Sequence, residues 1–306
     1  MKILITGIAG FIGSQIANSA IKKGYSIIGV DDLSQGYKKN VPAQCEFLEY
    51  DLVTPKNIQK FPKDIDVILH LAGQSSGEIS FDNPVADLEK NCVSTLNLIK
   101  YGIDIGAKKF VYASSMSVYG ATPDQAISED FACDPISCYG TGKYAAENYL
   151  KIYRRELPFI AFRMFNVYGP GQDLSNLRQG MVSIYIAHIL KNGHLPIKGN
   201  LQRFRDFIYI DDVVKIWLQA IADNDIKNEV FNLGTGIRTT VFDLVTTIKK
   251  IIPYFTWTEL GSTPGDQFGI YADMKKAEAF FGNSHFVSLE EGLRVFIEWS
   301  KENLKH

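Results

Sequence analysis

The sequence predicts an α/β fold, a doubly wound parallel sheet followed by a smaller C-terminal lobe. Three observations carry that expectation. Apolar runs at residues 2–6, 26–30, 66–70, 109–113 and 159–163 are rich in Ile, Val, Leu and Phe, as strands covered on both faces are. Amphipathic stretches at helical spacing fall between them. A glycine-rich segment joins the first run to the first of those stretches.

In chain order, residues 11–23 read as the first helix, closed by Gly24. Residues 84–102 carry Val85, Leu88, Cys92, Leu96 and Ile99 at helical spacing, and 137–155 carry Tyr139, Lys143, Ala146 and Leu150. Beyond about Phe165 the loops lengthen (168–178, 193–205, 253–269) and the strands shorten. The expected division is a first domain at 1–165 and a substrate-binding lobe at 166–306, with parts of 205–233 returning to the first domain.

Composition narrows the function classes. The chain has 306 residues, 46% hydrophobic and 22% charged, which excludes a disordered chain. Its net charge of −2 offers no basic face for nucleic acid. No apolar run approaches the roughly 20 residues of a membrane helix. The apolar start, Met1 to Ile5, reads as a strand and not a leader, because Gly7, Gly10 and Gly13 interrupt it. Cys45, Cys92, Cys133 and Cys138 lack metal-ligand spacing, so they read as reduced thiols of a cytoplasmic enzyme and no metal is expected.

The segment Thr6-Gly7-Ile8-Ala9-Gly10-Phe11-Ile12-Gly13 turns a strand into a helix. Glycines there let the backbone approach a pyrophosphate. The helix start at Phe11 and Ile12 offers free N–H groups and a positive dipole end. The next strand ends in Val30-Asp31-Asp32, and Asp31 lies 18 residues beyond Gly13. A carboxylate there binds a ribose diol and repels a 2′-phosphate, so the expected cofactor is NAD, on a Rossmann-like sheet.

Tyr139 and Lys143 lie at i and i+4, on one helix face. A free Tyr titrates near ~10, so a neighbouring ammonium would favour the phenolate as a proton acceptor. Ser115, in the Ser-rich turn after the 109–113 run, could donate to a reacting oxygen.

These residues resemble the extended short-chain dehydrogenase/reductase family and, within it, the NAD-dependent epimerase/dehydratase group. The matching segments are Thr6 to Gly13, Asp31, Asp51-Leu52, His70-Leu-Ala72-Gly73, Asn91, Ser114 to Gly120, Tyr139 to Lys143, Arg163 to Pro170, Arg205 to Asp212, Asn232 to Gly236 and Pro264-Gly-Asp266. The resemblance implies that Asp51 and Leu52 hold the adenine and that Ala72 and Gly73 line the nicotinamide side. Asn91 would order that region, and Ser115, Tyr139 and Lys143 would be catalytic. It also implies that Asn166, Arg205 and Asp266 serve the substrate, Arg205 through a phosphate. A salt bridge from Arg205 to Asp206 or Asp211 is the structural alternative.

Among the family's reactions, dehydration calls for an Asp-Glu pair after the catalytic Ser, and this chain has Met116 and Ser117 there. A net 4-keto reductase usually draws on NADPH, which Asp31 disfavours. The expectation is therefore a nucleotide-sugar 4-epimerase of the UDP-glucose type, with a non-catalytic NAD-binding regulator as the remote alternative. The loop from Tyr168 to Ser183 looks like the same branch. Thr263 stands where the family has a phosphate-binding Arg, and Ile270 is expected to gate bulk at sugar C2. Helices 84–102 and 137–155, apolar on more than one face, are expected to pair across a two-fold axis in a homodimer.

Overall fold

The structure is a computed structural model and describes residues 1–261, 267–282 and 285–304. Its centre is a seven-stranded parallel sheet built from β1 (Lys2–Thr6), β2 (Ser26–Asp31), β3 (Glu46–Glu49), β4 (Val67–His70), β5 (Lys109–Ser115), β6 (Phe159–Met164) and β7 (Glu229–Leu233). The spatial order is β7-β6-β5-β4-β1-β2-β3. Strand order therefore reverses between β1 and β4, which pair in parallel with Ile3 beside Val67. Open α/β sheets bind ligands at such a reversal.

The unbroken apolar runs have a direct cause. Ile3, Ile5, Val67, Leu69, Val111, Ile160 and Phe162 point into one core cluster. Leu4, Ile28, Val30, Ile68, Phe110 and Ala161 point into the cluster on the other face. Both faces are covered, so neither parity of residue is left for polar side chains. β3 has no such signature. It is an edge strand of four residues, Glu-Phe-Leu-Glu, pairing only with β2, and the sequence pattern does not reveal it.

Four helices matter for the site. They are α1 (Phe11–Lys22), α2 (Pro84–Leu88), α3 (Ser94–Asp104) and α4 (Cys138–Ile152). α2 and α3 belong to the stretch expected as one helix, but a π turn at Glu89–Val93 joins them. Only part of the apolar stripe read from the sequence, Cys92 and Ile99, is buried. Val85 and Leu88 are exposed, while Asp87, Asn91 and Thr95 are buried. The stretch thus buries polar side chains, and its first apolar residues face outward.

Later segments rejoin the sheet. The helix Ile210–Ala222 packs on α1, and β7 completes the sheet beside β6. Beyond β6 the remaining strands form two-stranded pairs: Asn166–Tyr168 with Phe207–Tyr209, and His194–Lys198 with Thr256–Leu260. One core cluster runs from Ile5 through Phe207 and Ile248 to Phe296, so the C-terminal elements share apolar contacts with the sheet.

α4 is fastened by a buried ion pair. Glu147 Oε1 and Oε2 accept from Arg163 Nε and Nη2 at 3.0 and 2.8 Å, and Ser114 Oγ donates to Glu147 Oε1 at 2.5 Å. Glu147 and Arg163 are 0% and 3% exposed along their side chains. Removing one partner strands a buried charge, which costs about 3–5 kcal/mol. Glu147→Ala is therefore expected to lose stability of that order in urea unfolding. A loss below about 1 kcal/mol, the scale of an exposed pair, would show that the pair does not hold α4.

Candidate active site

A cleft of about 870 Å³ opens at the carboxyl ends of the central strands. The glycine loop after β1, Asp31 at the end of β2, the Leu71-Ala72-Gly73 turn after β4, and Tyr139 and Lys143 on α4 all line it. The loop is tight by necessity. Gly7 has φ +71°, and a Cβ there would lie 2.6 Å from Ala72 N; a Cβ on Gly13 would run into the Gly7 carbonyl. α1 starts at Phe11 with no side-chain cap and no acidic residue in its first turn. Its N-terminal amides and positive dipole end face the cleft at Gly10, Phe11, Ile12 and Gly13, a cradle that suits a pyrophosphate.

Asp31 is held by the backbone. Its Oδ2 accepts from Ala9 N at 3.0 Å and its Oδ1 from Leu33 N at 2.9 Å. Burial pushes its pKa up against the pull of those two amides. Each oxygen keeps a lone pair for a diol hydroxyl. Lys90, on the π turn, reaches across to Asp32 Oδ2 at 3.1 Å and Ser34 Oγ at 2.9 Å. Asp51 and Leu52 line the same end of the cleft, and Asn97 Nδ2 donates to the Leu52 carbonyl at 3.0 Å.

β5 runs two residues further than the sequence suggests and ends on Ser115, which is buried and, like Arg205, is not among the residues that line the cleft. Ser115 Oγ accepts from Ser117 N at 3.2 Å, and its hydroxyl lies close enough to the Tyr139 phenol to lower the phenol's pKa. Tyr139 and Lys143 are buried, and Lys143 Nζ lies 5.8 Å from the Tyr139 ring centre and 5.0 Å from that of Tyr112. The expected lowering of the Tyr139 pKa is not what this structure holds. Burial pushes the phenol up to about 12, the Ser115 hydroxyl opposes this, and the Asp87 carboxylate adds to it. Burial likewise takes Lys143 down to about 8, against the pull of Asp87. Desolvation of both groups outweighs their mutual influence.

Not every residue expected at the site faces the cleft. Asn91 is fully buried beneath it and donates from Nδ2 to Asp87 Oδ1 at 3.1 Å. Asn166 Nδ2 donates to the Asp206 carbonyl at 3.0 Å and approaches Met116 Sδ at 3.6 Å. Arg205 does not line the cleft. It is 3% exposed and donates to the carbonyls of Phe204, Phe268 and Gln267 at 2.7, 3.2 and 2.8 Å. Burial and the neighbouring Arg203 bring its pKa down to about 10. The Asp206 carboxylate is taken by Thr235, Gly236 and Ala272. Ile270 corrects the gate expectation, being fully buried in the core with no surface on the cleft. Thr263 and Asp266 lie outside the described residues.

The structure also adds residues. Asp87, Gln74, Ser75, Lys90 and Gln179 line the cleft. Of these, Asp87 had a readable signal, since it stands four residues before Asn91. The apolar stripe beside it obscured that pairing.

The model of the NAD-dependent epimerase/dehydratase family matches residues 3–234. This chain belongs to that family. Relatives span nearly its whole length. A UDP-glucose 4-epimerase of Mycolicibacterium smegmatis is 33% identical over 98% of this chain and 98% of its own. A UDP-glucuronate 4-epimerase of Thermodesulfobacterium geofontis is 30% identical over 99% and 97%. The crystal structure of a Thermotoga maritima UDP-glucose 4-epimerase with UDP-glucose superposes with a TM-score of 0.94 at 35% identity, covering 99% of this chain and 100% of that one. The matched span includes the glycine segment, Asp31 and the Tyr139/Lys143 pair. Among the described residues, no group of three or more His, Cys, Asp or Glu side chains could hold a metal ion, and no helix is long and apolar enough to cross a membrane.

NAD is the cofactor of the family, and Asp31 is the residue that should enforce it. Asp31→Asn keeps the shape and removes the charge. It is expected to bring the NADP and NAD dissociation constants closer by at least about tenfold, read by fluorescence titration. Tighter NADP than NAD binding by the unaltered protein would contradict this assignment.

Proposed function

We propose that this chain is an NAD-dependent 4-epimerase of nucleoside diphosphate hexoses. The observation that carries the reading is the inner end of the cleft. Tyr139 and Lys143 line it, the Ser115 hydroxyl acts on the Tyr139 phenol, and the residues that follow Ser115 are Met116 and Ser117. Such a site moves one proton and positions one oxygen. It holds no carboxylate pair after Ser115 to expel water from the sugar, so dehydration is the weaker reading. The relatives named as UDP-sugar 4-epimerases support a UDP-linked substrate.

Bound NAD would supply a hydride acceptor that later gives the hydride back. Tyr139 takes the proton of the sugar 4-hydroxyl as C4 loses its hydride, and Ser115 donates to the same oxygen. The product of that half is a 4-keto sugar. Once the sugar has turned its other face, C4 regains the hydride and Tyr139 returns the proton to oxygen. With its pKa near 12 in the free protein, Tyr139 needs added positive charge in the cleft to ionise at neutral pH. Lys143, which lines the same cleft, would supply part of that charge and would bond the nicotinamide ribose.

A panel of UDP-, dTDP-, CDP- and GDP-hexoses followed by NMR tests the reading. The expected result is interconversion of one 4-epimer pair without added reductant. Tyr139→Phe should cut that rate by about 10²–10⁴-fold and leave NAD binding near normal. A 4-keto-6-deoxy product, or a Phe variant of normal rate, would overturn the assignment.

We infer a homodimer from the outer faces of α2 and α4. These helices pack side by side, and their outward faces carry Val85, Leu88, Tyr149 and Ile152, with Val85 and Ile152 66% and 67% exposed. Apolar residues so grouped call for a partner surface. Light scattering at micromolar concentration should give twice the chain mass, and Leu88→Glu with Ile152→Glu should halve it. A monomeric unaltered protein would refute the pairing.

A further inference from the structure

We propose that Asp87 is the buried counter-ion of Lys143, a positioning residue that keeps the ammonium charged beside Tyr139. The inference rests on the reading of Tyr139 and Lys143 as the reacting pair.

The geometry starts from an incomplete carboxylate. Asp87 is 2% exposed, and its Oδ1 accepts from Gln74 Nε2 at 2.8 Å and from Asn91 Nδ2 at 3.1 Å. Its Oδ2 is buried with no hydrogen-bond donor. A carboxylate oxygen left this way is costly unless a cation faces it. That oxygen passes beside the backbone next to Lys143: a Cβ on Gly142 would meet it at 3.6 Å. On the other side Asn91 Oδ1, also buried without a donor, and Lys143 Nζ both approach Gly73, where a Cβ would meet them at 2.5 and 3.4 Å. The ammonium and the unpartnered Asn91 Oδ1 thus share the Gly73 side, while the unpartnered Asp87 Oδ2 lies beside Gly142, one residue before Lys143 in the chain.

The remaining neighbours of Lys143 cannot balance its charge. His70 on β4 is fully buried between Thr6 and Thr95, and burial and Lys143 keep its pKa well below the ordinary histidine range, so it is neutral. Tyr112 on β5 and Tyr139 on α4 present ring faces. Asp87 from α2 is the acid that acts on Lys143 among the described residues, and it acts on Tyr139 as well. An anion in this place favours the ammonium and opposes the phenolate. Both groups therefore keep their protons to higher pH than they would without it. Removing the charge must move both ionisations to lower pH, whereas a purely structural loss would reduce amplitude without moving either.

Asp87→Asn keeps the shape and the Oδ1 contacts; Asp87→Glu keeps the charge. In the cofactor-free protein, the pH dependence of acylation of the Lys143 amine by a small anhydride, read by peptide mass spectrometry against surface lysines, reports its ionisation directly. The Asn variant is expected to shift that midpoint down by about one unit or more, with the Glu variant close to the unaltered protein. If the Asn variant does not fold, Asp87→Ser carries the same expectation. In the turnover assay with the sugar nucleotide that the panel identifies, both limbs of the pH–rate profile should move to lower pH in the Asn variant. An unchanged Lys143 midpoint in a folded Asn variant, or equal midpoints in the Asn and Glu variants, would overturn the proposal. Because the labelling needs no substrate, a failure of the epimerase reading and a failure of the Asp87 reading are told apart.

Discussion

The site depends on one buried ion pair. Glu147 stands eight residues after Tyr139 and four after Lys143 on the same face of α4, and Arg163 grips it from β6. Through Ser114 Oγ the same carboxylate also holds the end of β5, one residue before Ser115. Three side chains that must meet, on two separate elements, are thereby fixed to a single point. Arg163 carries the constraint further. Its Nη1 donates to the Glu129 carbonyl at 3.1 Å and its guanidinium stacks on Tyr119, whose hydroxyl donates to Asn232 on β7. Three strands of the sheet, β5, β6 and β7, are thus tied to the helix that carries Tyr139 and Lys143.

Desolvation dominates the electrostatics of this centre. Tyr139, Lys143, Tyr112 and His70 all lie in a low-dielectric recess, and each is pushed toward its neutral form. Such a recess makes charge brought by a ligand, or by a single carboxylate, count for more than it would in water. The π turn between α2 and α3 is part of the same design. It holds Lys90 at the cleft edge and Asn91 beneath it. π turns of this kind are frequent at functional sites.

The sequence read well wherever function depends on local spacing. Five strands, the glycine loop, Asp31 and the Tyr139/Lys143 pair were all legible, because a parallel strand, a strand-to-helix turn and an i, i+4 pair are set by neighbouring residues. β7 was not legible as a strand: the sequence places Glu229–Leu233 only within a segment that returns to the first domain. Nor was β3, because an edge strand need not be apolar on both faces.

What the sequence by itself determined was the alternation of strand and helix, the glycine turn and the placement of Tyr139 and Lys143 on one helix face. Their periods and turns are properties of the chain within a few residues. Only the tertiary structure decided which faces turned inward. It buried Ile270 in the core and seated Arg205 on backbone carbonyls. It also buried Asp87 on the side of α4 and left Val85 and Leu88 exposed. Each of those outcomes depends on the packing angle of one element on another, which is fixed by contacts between residues far apart in the chain.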